Sequence, residues 1–262
     1  MQCKYREKLV YAGDMIFGVV YPTYRKAGAR RGKFRETSET QKKLNDRKAM
    51  ERLTWLIHGN FGKGDFALHL TFADENLPET EADAEKCVKN YIRRAKRMYK
   101  AAGVEMRYVY VIEVSDSGRV HVHMIVSGGV SRDTLEDAWG MGRCNADRLQ
   151  FNECGVIDLS RYISKSGRAK YRRRYVTSRN LVKPVEKTNV HQWSRKQMEA
   201  VDAAGNPHKR FADLYPGYWL AEFPKVETNG VNGGMYMTFV MYKPDGKNLA
   251  EYRRRGGRKG ES

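Results

Sequence analysis

His121 and His123 stand two residues apart in Val120-His-Val-His-Met-Ile-Val126, and Glu113 precedes them in Tyr108-Val-Tyr-Val-Ile-Glu-Val114. Imidazoles and a carboxylate are ligands for divalent cations, and these three residues have the types of an open metal site. Further along, Tyr162-Ile-Ser-Lys165 puts a phenol and an ammonium at i and i+3, neighbours on one helix face. A phenol, with its ordinary pKa near 10, is a weak nucleophile at neutral pH. An adjacent cation and a metal-polarised phosphate compensate for that, and the phenolate then forms a covalent phosphotyrosine. Each pattern alone has a plainer meaning: a His-x-His decorates many half-exposed strands, and Tyr162 with Lys165 fits an amphipathic helix. Their coincidence in one strongly basic chain turns the balance towards a site.

The elements that would position these residues follow from the hydrophobic pattern. Tyr108–Val114 and Val120–Val126 are rich in β-branched and aromatic residues, and Ser115-Asp-Ser-Gly-Arg119 between them is a turn signal. With Asp116, Ser117 and Gly118 as the loop, Ser115 faces Arg119 and Glu113 falls opposite His121. Directly opposed residues bring their Cβ atoms to roughly 5 Å on one face, and His123 shares that face by strand periodicity. Phe66-Ala-Leu-His-Leu-Thr-Phe72 reads as an earlier strand, apolar at Phe66, Leu68, Leu70 and Phe72. His69 falls on its other face and reads as an ordinary surface histidine. Gly59–Asp65 lacks the order of a phosphate-binding loop and reads as a turn.

Helical periodicity covers Glu39 to about His58 and, most clearly, about Glu79 to Ala101, where acids crowd the first turns and bases the last. A short helix is expected from Ser131 to Trp139, short strands at Arg148–Phe151 and Val156–Ile157, and a further helix from Leu159. Strands joined by a tight hairpin are antiparallel, so the pattern predicts an α+β fold with a central antiparallel sheet flanked by helices. Residues 1–40 read as a basic, irregular arm, 41–185 as the main domain, 186–250 as an extension of helix and strands, and 251–262 as a disordered basic tail.

Composition narrows the partner. Forty-nine Lys and Arg against 31 Asp and Glu give the 262-residue chain a formal charge of +18, which favours a polyanion. No apolar run approaches the roughly 20 residues that span a bilayer, and the N-terminus lacks a signal peptide's apolar core, so an intracellular location and no membrane partner are expected. The four cysteines show no Cys-x-x-Cys spacing and read as free thiols; Cys144 and Cys154 are candidates to join His121 in a zinc site, which the hairpin does not require. From Leu159 to Val185 there are nine Lys or Arg and no acid, interleaved with Tyr162, Tyr171 and Tyr175. Cations for phosphates and rings for bases are what single-stranded nucleic acid selects, and Arg161, Arg168, Lys170, Arg172, Arg173 and Arg174 are the candidate DNA contacts.

Taken in order, Leu68-His-Leu-Thr-Phe72, His121-Val-His123 and Tyr162-Ile-Ser-Lys165 resemble the three motifs of the HUH endonucleases, specifically rolling-circle replication initiator (Rep) proteins of bacterial plasmids and small single-stranded DNA phages. Weaker similarities are Asn60-Phe61 with Asp65, Trp139-Gly-Met-Gly142 and Ser178-Arg-Asn-Leu-Val-Lys-Pro184. The resemblance covers residues 41 to 185. It implies an RRM-like palm, Mg²⁺ or Mn²⁺ held by His121, His123 and Glu113, and Tyr162 as the nucleophile that nicks origin DNA, with Lys165 beside it. A 5′-phosphotyrosine and a 3′-OH that primes a host DNA polymerase would result, in the cytoplasm of a bacterial host. Where some phage initiators carry a second tyrosine, this chain has Ser166, leaving Tyr171 and Tyr175 as candidate second nucleophiles. No Walker motif is present, so a host helicase is expected to unwind. A relaxase or single-tyrosine transposase of the same superfamily, and a non-enzymatic basic nucleic-acid-binding protein, are the alternatives.

Overall fold

A computed structural model describes residues 4–23, 39–115, 117–152, 155–156, 174–190, 192–203, 207–229 and 233–244. In chain order the elements are β1 (Lys4–Ala12), β2 (Met15–Thr23), α1 (Glu39–Asn60), β3 (Phe66–Thr71), α2 (Glu81–Ala101), β4 (Tyr108–Val114) and β5 (Val120–Val126). There follow α3 (Arg132–Asp137), β6 (Cys144–Arg148), β7 (Phe151–Asn152), β8 (Gly155–Val156), β9 (Val176–Thr177), β10 (Val185–Val190), α4 (Arg195–Ala203), α5 (His208–Leu214), β11 (Trp219–Leu220), β12 (Lys225–Thr228) and β13 (Met235–Tyr242). No helix among the described residues is long and apolar enough to cross a membrane. The class is the expected α+β with antiparallel sheet, but two compact units share it: Phe34–Asn152 with Val156–Lys183, and Met1–Lys33 with Glu153–Gly155 and Pro184–Ser262.

The first of these units is built on a five-stranded antiparallel sheet in the order β6-β3-β5-β4-β9. Strand alternation gives it two different faces. Leu68, Leu70, Tyr110, Ile112, Val122 and Met124 point one way and pack with the buried stripe of α2, Ala84, Val88, Tyr91, Ala95 and Tyr99. Each large apolar side chain buried this way contributes roughly 1.5–3 kcal/mol. Thr80 caps α2, its hydroxyl accepting from the Asp83 N–H at 3.2 Å. On the other face, Leu53 and Ile57 of α1 cover Ala67, Val109, Val111 and Ile125. That cover stops where the next cross-strand rows turn polar.

β6 begins earlier than the expected strand at Arg148–Phe151. Cys144–Arg148 is polar at Asn145 and Asp147, and only its alternation, with Ala146 buried, marks it as the edge strand it is.

Residues 4–23 do not form an irregular arm. They make a hairpin, β1–β2, turning at Gly13 with φ 59°, and it lies inside a six-stranded antiparallel sheet with β10 on one side and β13 on the other. The basic residues hid an alternation: Tyr5, Glu7 and Leu9 are buried while Lys4 and Arg6 are exposed. Gly18 allows the Phe239 ring to lie where a Cβ would stand, 2.1 Å from a ring carbon. The buried Glu7 carboxylate accepts from Trp193 Nε1 at 2.7 Å, from Asn189 Nδ2 at 2.9 Å and from the Tyr215 hydroxyl, which satisfies a charge that burial would otherwise penalise. The expected helix near Ser194–Ala203 and strand at Met235–Tyr242 are present, and Trp219–Leu220 is a short strand within the expected Tyr215–Phe223 run. The tail 251–262 lies outside the described residues.

Candidate active site

β5 runs between β3 and β4, so its two histidines have partners on both sides. The register pairs Glu113 with His121 and Thr71 with His121, and His69 and Val111 with His123. The Glu113–His121 pairing expected from a three-residue loop is therefore present; the Ser115 N–H donates to Arg119 O at 2.8 Å, and Gly118 takes φ 81° in the turn. Arg119 ties this end of the hairpin down, donating to Phe72 O at 3.0 Å and pairing with Asp74 at 2.6 Å.

The polar rows form a cluster of four. His123 Nε2 lies 3.2 Å from a carboxylate oxygen of Glu113, which is buried. His69 stacks on both neighbours, its ring centroid 4.8 Å from that of His123 and 5.4 Å from that of His121. Sequence reasoning left His69 on the surface. Its position on the polar face of β3 was legible, but the pairing of β3 with β5, which brings it to the histidines, is a contact distant in the chain. Burial is the largest cause holding the His69 and His121 pKa values below the ordinary 6.5, reinforced by the neighbouring imidazoles and opposed by Glu113. Both rings are thus biased towards the neutral form that ligates metals.

Whether these residues suit a metal ion turns on one atom. His121 Nδ1 is buried and has no hydrogen-bond partner, an arrangement that costs free energy unless something else satisfies the nitrogen. A neutral imidazole with an unsatisfied nitrogen, a second imidazole and a buried carboxylate are the right donors for a divalent ion. Among the described residues no group of three His, Cys, Asp or Glu is arranged to hold an ion. The rings stack, and imidazole lone pairs lie in the ring planes, so coordination by several of them requires the rings to turn. Cys144 is not a ligand beside His121: it pairs with Leu70 and packs on the α2 side of the sheet. Burial, foremost, and Glu136 push its thiol up to about 12.

The supports of this cluster explain several of the weaker motif similarities. Trp139, fully buried, donates from Nε1 to Thr71 O at 2.7 Å. Gly142 passes so close to the end of β3 that a Cβ there would lie 2.5 Å from Thr71 O. Asp65 accepts from the N–H groups of Gly62 and Gly128, each at 2.7 Å, closing the turn that precedes β3. Asn60 clamps the segment after β9, accepting from Val182 N–H at 2.7 Å and donating to Val182 O at 2.8 Å.

Tyr162 and Lys165 lie outside the described residues, as do Arg161, Arg168, Lys170, Tyr171, Arg172, Arg173 and Cys154. Arg174 is described and pairs with Asp46 of α1. Tyr175 packs against the apolar cluster under α1.

Residues 65–167 match a family model for replication-associated proteins of the ORF2 type. The matched stretch opens at Asp65, includes β3, β4 and β5 with all four residues of the cluster, and runs through Tyr162 and Lys165. No curated protein and no solved structure matches the chain.

Proposed function

We propose that this chain is a site-specific, metal-dependent single-stranded DNA nicking and joining enzyme that initiates rolling-circle replication. The observation that carries the reading is the His69, Glu113, His121 and His123 cluster on one sheet face, within the stretch similar to replication-associated proteins. His121, His123 and Glu113 would hold Mg²⁺ or Mn²⁺, with His69 against both rings. The bound ion would supply Lewis-acid polarisation of the scissile phosphate. Tyr162 loses its phenolic proton and attacks phosphorus; the bond to the 3′-oxygen breaks, and that oxygen leaves as a 3′-OH after taking up a proton. The phosphate stays on Tyr162 as a 5′-phosphotyrosine, so the phosphodiester's energy is kept and the step is reversible. Lys165 offsets negative charge on phosphate and phenolate. The cations of residues 161–174 contact the strand, a host helicase unwinds, and a host polymerase extends the 3′-OH.

The stacked rings favour one competitor, a basic nucleic-acid-binding protein with no cleavage chemistry. Incubation with origin-type single-stranded DNA and Mn²⁺, resolved on denaturing gels, separates the two. The nicking reading expects a protein-linked 5′ product that disappears in Tyr162→Phe. Binding without any cleaved product overturns it, and cleavage that survives Tyr162→Phe but is lost in Tyr171→Phe reassigns the nucleophile.

A further inference from the structure

The opposite end of β4 carries a second concave surface. Where α2 ends and β4 begins, a cleft of about 800 Å³ opens between the last turns of the helix, the connection Gly103–Met106 and the segment Thr177–Asn180. Lys96, Lys100 and Arg179 line it, with Glu105 as its one acidic residue. None of the three cations has a carboxylate partner among the described residues. Cations at a helix C-terminus are favoured by the helix dipole, which accounts for Lys100. It does not account for Arg179, which arrives from the segment after β9, nor for the gathering of all three around a hollow.

The walls are held in place. The Ser178 N–H donates to Tyr108 O at 2.9 Å, the Tyr108 N–H donates to Ser178 Oγ at 3.1 Å, and Asn180 Nδ2 donates to Met106 O at 3.2 Å. Apolar surface lies among the charges: Val104 is 41% exposed, and the Tyr108 ring carries Lys96 Nζ at 5.7 Å from its centroid. A concave surface of one sign focuses the field on a counter-ion, and a ring beside cations suits a base joined to a phosphate. Tyr108 and Glu113 are on opposite faces of β4 and, at about 3.3 Å per residue, about 17 Å apart along it. This cleft is therefore separate from the histidine cluster.

We infer that the cleft at Lys96, Lys100 and Arg179 is a second subsite for single-stranded DNA, taking a phosphodiester against the three cations and its base against Tyr108 and Val104. The inference rests on the DNA-acting reading above. It gives the Ser178–Pro184 motif a role: Ser178, Arg179 and Asn180 build one wall of the site.

The test is equilibrium binding of a labelled oligodeoxythymidine to the full chain in EDTA, by fluorescence anisotropy across a salt series. The triple variant Lys96→Gln, Lys100→Gln, Arg179→Gln is compared with a control of equal charge change, Lys48→Gln, Lys63→Gln, Lys86→Gln. Each phosphate contact on a single strand contributes about 0.7 to the slope of log K against log salt, so the cleft variant is expected to lose about 2 and the control much less. Restoring charge with Arg179→Lys in the triple variant should recover part of the slope. Equal losses in both triple variants overturn the inference, because net charge alone then explains binding. An unchanged slope in the cleft variant also overturns it, and leaves the cleft to a protein partner or to none. Because no ion or cleavage is involved, failure here is distinct from failure of the nicking assay.

Discussion

At the residue scale, the histidine cluster is most directly probed by separating the ion from the strand. His121→Ala removes the unsatisfied buried nitrogen, and it is expected to abolish cleavage and Mn²⁺ binding, the latter read by titration calorimetry, while DNA binding in EDTA stays largely intact. Loss of DNA binding as well would indicate misfolding. His69→Gln tests a neighbour that touches both rings. Groups that steady ligands commonly change metal affinity by about 10- to 100-fold, and a weakening of at least about tenfold is expected here; an unchanged Kd would make His69 a bystander. A third prediction concerns His58 in the last turn of α1, where burial lowers its pKa from 6.5 to about 4. The unfolded chain binds the proton more readily, so this residue's contribution is complete above pH 6.5 and lost as pH falls towards 4, by about 3 kcal/mol. Urea melts at several pH values should show that slope in the wild type and a flatter one in His58→Leu.

Elements carry the next scale. The β4–β5 hairpin was legible to the residue because its two runs and its turn are local, and local periodicity is what a sequence displays most openly. The same holds for α2, whose cap and buried stripe appear in the alternation of small and charged residues. Thr80→Ala should cost about 1 kcal/mol of stability in thermal or urea unfolding, through loss of that cap. What escaped was non-local. The adjacency of β3 and β5 that brings His69 to the site, the edge strand β6, and the hairpin β1–β2 all depend on partners far along the chain. Polar edge strands and basic hairpins satisfy their backbones through those partners, and their own composition says little about it. The Trp139–Gly142 motif belongs here too. It braces the end of β3 by a hydrogen bond and a close backbone approach, a role that no spacing rule announces.

At the scale of the whole molecule, the histidine cluster and the sheet made by β1, β2 and β10–β13 fall in different compact units. A chain ending at Lys183 would keep β1 and β2 and lose β10 and β13, the strands that flank them. An isolated hairpin is marginal in water, and its uncovered edges invite pairing with other chains. Such a truncation should elute as aggregate in size-exclusion chromatography; a monodisperse product would show that the hairpin does not need its partners.

The discontinuity of that second unit has a consequence in time. Roughly 160 residues separate β2 from β10. At translation rates of about 5–20 residues per second, the first hairpin waits on the order of 10–30 s for its neighbours to leave the ribosome. During that wait the unit made around the histidines has already been synthesised and is free to collapse, and the hairpin is a loose end in search of a partner. Order of synthesis and order of assembly therefore run in opposite directions for this sheet, and chaperone capture of nascent chains is expected to fall on residues 4–23.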